Sequence, residues 1–153
     1  MIDEIDKKLL RHLQTDSRTT NSQLAAKAGI SASSCWRRIK SLEDIGLIQG
    51  YSALLNRDIA GFEFSAIVHL SLSRQEENTV QEFVRAVAVR PEILDCYATT
   101  GDFDYHLRVV VKNITEYNTF LDEFLFKLPG VAQIRSNIVL KDIKSSQSLP
   151  FNQ

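Results

Sequence analysis

The run that follows Gly29, ISASSCWRRIKSLE, combines hydroxyls and bases at a spacing that suits a helix able to touch nucleic acid. Cys35, Ile39 and Leu42 stand at i, i+4 and i+7 and make an inner apolar stripe. Ser33, Ser34, Arg37, Lys40 and Ser41 then fall on or near the outer face, with Ser31 placed to cap the helix. Short hydroxyls and guanidinium groups on such a face reach phosphate oxygens and base edges in a major groove. Arg37 and Lys40 are the leading contacts. Arg38 lies nearer the inner stripe, where it serves either the groove or a first-helix acid such as Asp6. Trp36 either covers the core or rests against the DNA backbone, and packing is the commoner use of a tryptophan. The competing reading is an ordinary helical hairpin with a solvated charged face.

A second constellation is Thr100, Gly101, Asp102 and Asp104, in TGDFD. Gly and Asp tolerate hairpin dihedrals, so turn chemistry alone explains them. The same backbone amides and carboxylates can also hold the ammonium and carboxylate of a free amino acid. Asp104 suits the ammonium or the ordering of the loop, because a carboxylate beside an anion is costly. No catalytic or metal constellation competes. His12, His69 and His106 are too scattered for a zinc motif, no Ser sits in a nucleophile elbow, and the glycines form no phosphate loop. His69 and His106 can share one sheet face as an interface pair.

The elements that must position these residues are legible in the periodicity. Residues 3–15 form a helix with Asp3 as cap and Ile5, Leu9 and Leu13 inward, widened by Leu10. Thr20 with Gln23 is a capping box opening a second helix, with Leu24, Ala25 and Ala28 inward, stopped by Gly29. These two and the reading helix make a three-helix helix-turn-helix domain over residues 1–48. Residues 49–62 follow as an extended connector and loop. Residues 63–153 then read as β-α-β twice: a strand over 64–73, a helix over Glu76–Val89 with Val80, Phe83, Val84 and Val87 inward, and a strand over 93–100. A strand over 105–111, a helix striped by Ile114, Tyr117, Phe120, Leu121, Phe124 and Leu128, and a strand over 131–143 complete the order. The helix-ending prolines, Pro91 and Pro129, lie 38 residues apart, as in a duplicated unit. The fold class is α+β, with a ferredoxin-like βαββαβ sheet carrying both helices on one face. Ile67 and Val110 would lie on the other face and call for a partner.

Composition agrees. The 153 residues carry a net charge of −1. Residues 1–60 hold nine Lys/Arg against seven Asp/Glu, and residues 61–153 hold nine against twelve, so positive charge is local. Such a chain relies on specific contacts rather than indiscriminate DNA attraction. No apolar run approaches the ~18 residues of a membrane span, and the opening MIDEIDKK has no signal-peptide pattern. A cytoplasmic chain is expected, with Cys35 and Cys96 as buried thiols.

IDKKLLRHLQTDSR, SASSCWRRIKSLEDIGLIQGYSALLN, TGDFDY, and LPGV followed by SNIVLKDIK stand in an order and at a spacing that closely resemble the leucine-responsive/asparagine-responsive (Lrp/AsnC, feast/famine) family of transcription regulators. The resemblance spans nearly the whole chain. It implies a DNA-reading domain joined to a ligand domain, dimers formed through the sheets that assemble further to octamers, and a small amino acid as effector, with no cofactor. It also implies a pocket between dimers to which Thr100 and Ser136 contribute. Ser34 stands where the family often has proline, which adds a hydroxyl and alters base preference. A sequence-specific, amino-acid-responsive regulator that is not an enzyme is therefore expected. A DNA-compacting architectural protein and an amino-acid-binding regulatory subunit of an enzyme are the alternatives.

Overall fold

The computed structural model describes residues 2–73 and 77–151. Their elements are α1 (Glu4–Thr15), α2 (Asn21–Ala28), α3 (Ala32–Asp44), β1 (Phe64–Leu72), α4 (Glu77–Ala88), β2 (Ile93–Ala98), β3 (Tyr105–Val111), α5 (Ile114–Glu123) and β4 (Val131–Ile138). A 3₁₀ turn, Leu125–Lys127, follows α5. The expected helix start at Glu76, and the terminal residues Met1 and Gln153, lie outside the described residues. Two compact units result, residues 1–54 with 144–153, and residues 55–143. The tail that sequence placed in the second domain thus packs with the first, where the Gln14 amide pairs with the Leu149 backbone in both directions (3.2 and 2.6 Å).

In the first unit Leu9, Leu24, Ala25, Ala28 and Cys35 form the core, with Ile5, Leu13, Ile30 and Ile39 at its margin. Each helix start is fixed locally. Asp3 and Asp6 exchange side-chain and backbone bonds, and so do Thr20 and Gln23, which satisfies amides that the first turn leaves free. Gly29, at φ 73° and ψ 36°, turns the chain between α2 and α3, and its N–H reaches the carbonyls of Ala25 and Ala26.

In the second unit the sheet order is β2-β3-β1-β4, antiparallel throughout. Ala66, Val68 and Leu70 of β1 and Leu107 and Val109 of β3 pack under Phe83 and Val87 of α4 and Tyr117 and Phe120 of α5. This is the expected ferredoxin-like α+β arrangement. Several details differ from expectation. β4 ends at Ile138 rather than Ile143, because Ile138 already pairs with Ala66 near the start of β1 and only Val139 finds a further acceptor, Ser65. β2 ends at Ala98 and carries an irregularity between Ile93 and Asp95 that leaves Leu94 half exposed. Val84 and Ile114 are half exposed at the edges of their helix stripes. Val110 is buried within the chain itself, so it needs no partner. Cys35 is buried but Cys96, on the edge strand, is exposed. Residues 49–56 form no ladder within the described chain.

Candidate functional site

The candidate reading face is built on α3. Ser31 Oγ accepts from the Ser34 backbone amide (3.2 Å) and lies 3.2 Å from Ser33 Oγ, which fixes the helix start. The Asn21 amide donates to the Ala32 carbonyl (2.8 Å), tying the start of α2 to the start of α3. Arg37 is exposed and, among the described residues, has no hydrogen bond or ion pair of its own. Lys40 is also exposed but pairs with Asp44 at 2.8 Å, and that carboxylate raises its pKa above the ordinary lysine value. Trp36 is 62% exposed, so it does not cover the core. Beside it a groove holds Leu13, Ile39, Lys40 and Tyr51. Burial, then the Glu43 carboxylate that the Tyr51 hydroxyl bonds (2.9 Å), push that phenol up to about 12.

Arg38 is the residue whose alternatives the structure separates. One guanidinium nitrogen donates to Asp3 Oδ2 at 2.7 Å and to Asp6 Oδ1 at 2.8 Å, with 29% of the side chain exposed. The same two carboxylates make the capping box of α1. Their backbone bond, and then Arg38, hold the Asp3 carboxyl below the usual range, while the acids raise Arg38. Arg38 therefore braces α3 against the start of α1 rather than lying free beside Arg37. The Asp-x-x-Asp box was the missed signal in the sequence, a variant of the Ser/Thr-x-x-Glu/Gln pattern.

At the other site, Thr100, Gly101 and Asp102 are exposed at the tip of the β2–β3 hairpin, and Gly101 sits at φ 120°. Asp104 does not point away with them. Its Oδ2 accepts from the Leu72 amide (2.8 Å) and its own amide donates to the Leu70 carbonyl (2.9 Å), which clamps the hairpin to the end of β1. Ser136 is not brought to the hairpin. It sits on β4, the opposite edge strand, across from Val68, and accepts from the Tyr117 hydroxyl at 2.6 Å. A cleft of about 520 Å³ along α5, lined by Arg90, Glu92, Asn113 and Glu116, contains none of the DNA- or effector-site residues expected from sequence. Among the described residues no group of three or more His, Cys, Asp or Glu could hold a metal. No helix among them is long and apolar enough to cross a membrane.

Residues 65–149 match the model of the Lrp/AsnC ligand binding domain, and residues 2–49 that of a winged helix-turn-helix DNA-binding domain. The chain belongs to the Lrp/AsnC family. Over 148 residues it is 36% identical to the leucine-responsive regulatory protein of Escherichia coli K12, an alignment covering 97% of this chain and 90% of that one. Its fold superposes on a Neisseria meningitidis transcriptional regulator in complex with L-methionine (TM-score 0.94, 35% identity, 99% and 98% of the two chains). It also superposes on an AsnC-family regulator from Agrobacterium tumefaciens (TM-score 0.93, 33% identity, 98% and 97% covered). As a member of the Lrp/AsnC family it is a DNA-binding transcription regulator with a ligand-binding domain, and α3 is the part of its helix-turn-helix that carries the unpaired Arg37.

Proposed function

We propose that this Lrp/AsnC chain regulates transcription in the cytoplasm as a homodimer that assembles further, toward an octamer. Its DNA binding is sequence-specific and answers to a small amino acid, and it acts by binding rather than catalysis. One observation carries the DNA part: among the described residues Arg37 is the unengaged cation on the outer face of α3, while the neighbouring Arg38 is consumed in holding that helix. Arg37 reads a base edge. Ser33, Ser34 and Lys40 contact the sugar-phosphate backbone, Ser31 sets the helix start, and Trp36 rests beside the groove. Symmetry then calls for a pseudo-palindromic site whose half-sites are about one helical turn apart.

For the effector, Thr100, Gly101 and Asp102 offer exposed backbone and polar groups at the hairpin tip, and Asp104 orders the loop from behind. Ser136 joins the same pocket only from another copy, so the pocket lies between copies. An amino acid suits it because L-methionine is bound in the N. meningitidis regulator and in a feast/famine protein of M. tuberculosis at 31% identity. Gel shifts on the protein's own upstream DNA against random DNA at physiological salt test the first reading. An equal affinity for both sequences removes it in favour of an architectural role. A panel of amino acids screened by thermal shift tests the second, since a ligand stabilises by RT ln(1 + [L]/Kd). A flat panel refutes it.

A further inference from the structure

The face of the sheet turned away from α4 and α5 carries a contact that neither DNA nor effector binding uses. His69 of β1 and His106 of β3 stand directly opposite each other in register. Their Nδ1 atoms are 2.6 Å apart, and the rings meet edge to face with centroids at 4.7 Å. At that separation one nitrogen must carry a proton and the other must offer a lone pair. The Asn137 amide lies 3.2 Å from His69 Nε2. With Asn137 as donor there, His69 Nδ1 is the N–H and His106 Nδ1 the acceptor. One further proton is accommodated at His69 Nε2 once the Asn137 amide turns its oxygen inward. A second has only His106 Nδ1 left, and it faces an N–H. The pair then breaks.

The surroundings do not relieve this. On β4, Arg135 is the register partner of His69 and lies over the Phe103 ring (5.1 Å), which in turn packs on His69 (5.6 Å). On β2, Tyr97 is the register partner of His106, and Asp95 is committed to Arg108 of β3 at 2.5 Å. At the hairpin, Asp104 is bonded to the Leu72 amide. Burial, then His106 and Arg135, lower the proton affinity of His69.

We propose that His69 and His106 are a proton-limited pair that makes association of two copies through this face weaken as the medium turns acidic. The assembly half rests on the dimer proposed above. Covering the face removes water that would solvate a second charge, so the dimer binds fewer protons than separated chains, and by linkage protons favour separation. A group whose proton affinity is lowered in the folded state contributes stability above its unfolded pKa of about 6.5 and loses it as pH falls.

The decisive experiment follows the imidazole resonances by NMR from about pH 8 to about pH 5, with sedimentation over the same range. Wild type and His106→Gln are compared. In wild type the two rings should titrate in coupled steps, and the dimer dissociation constant should rise several-fold toward the acid end. In His106→Gln, His69 should titrate in one step and most of that rise should disappear. Two independent single-site titrations in wild type overturn the pair, and an acid response unchanged in His106→Gln overturns the assembly role. A wild type that is monomeric at neutral pH overturns the dimer reading and the assembly half together. The coupled titration still judges the pair.

Discussion

Replacing Gly29 by alanine isolates the turn that aims α3. The residue sits at φ 73°, and an ideal Cβ built there meets nothing within 4 Å, so only backbone conformation is at stake. A left-handed non-glycine residue costs roughly 1–2 kcal/mol. Alanine returns about 0.4–1 kcal/mol by restricting the unfolded chain. The difference leaves a loss of roughly 0–1.6 kcal/mol for Gly29→Ala, about 0.8 kcal/mol at the middle of the two ranges. Spread over a domain of this size, that is a fall in midpoint of several degrees, at about 4–8 °C per kcal/mol. Asparagine visits the same region more readily, so Gly29→Asn should lose less than Gly29→Ala. Urea and thermal unfolding followed by far-UV circular dichroism measure all three proteins. Because the Asn21–Ala32 bond still orients the start of α3, DNA affinity well below the midpoint should change little. An alanine variant as stable as wild type, or an asparagine variant worse than alanine, refutes the argument.

Arg37→Ala should weaken specific DNA binding by about 1–3 kcal/mol and relax preference at one position in each half-site; uniform weakening on all sequences would reassign it to phosphate. Arg38→Ala should lower the thermal midpoint but leave the salt slope of DNA binding unchanged, and a slope smaller by about 0.9 would place Arg38 on a phosphate instead. The same variant bears on acid stability. Asp3 is held below its usual value in the folded state, so its contribution is present above its unfolded pKa and fades as pH falls through the folded one. Arg38→Ala should therefore flatten the loss of stability in that acid range, as a pH series of urea midpoints would register. Asp104→Ala should loosen the hairpin from the Leu70–Leu72 end of β1, lowering stability without ligand and the thermal shift with the best-binding amino acid. A variant that loses only the ligand response would make Asp104 a direct ligand contact.

The amino-acid sequence by itself determined whatever rests on neighbours three or four residues apart. The Thr20–Gln23 box, the Asp3 and Ser31 caps and the Gly29 stop are short-range, so the bounds of the three helices are written in the residues beside them. Pro91 and Pro129, with the alternation of β1 and β3, gave the βαββαβ order for the same reason, because periods of two and of about 3.6 residues record which face is buried. The side-chain partners were decided elsewhere. The sequence leaves Arg38 between the groove and a first-helix acid such as Asp6, and only the folding of α1 against α3 brings two acids 35 and 32 residues away to its guanidinium. Trp36 reads as core by type, yet it lies mostly outside because Leu9, Leu24 and Cys35 already fill the interior. Ser136 could be assigned to a strand but not to a neighbour, since strand order sends it to the edge opposite the hairpin and beneath Tyr117. The ladder between β4 and β1 ends at the Ile138–Ala66 pair, short of the strand the sequence suggests. Local chemistry sets the elements, whereas long-range pairing chooses which charges are spent on the fold and which, like Arg37, stay unpaired on the outer face of α3.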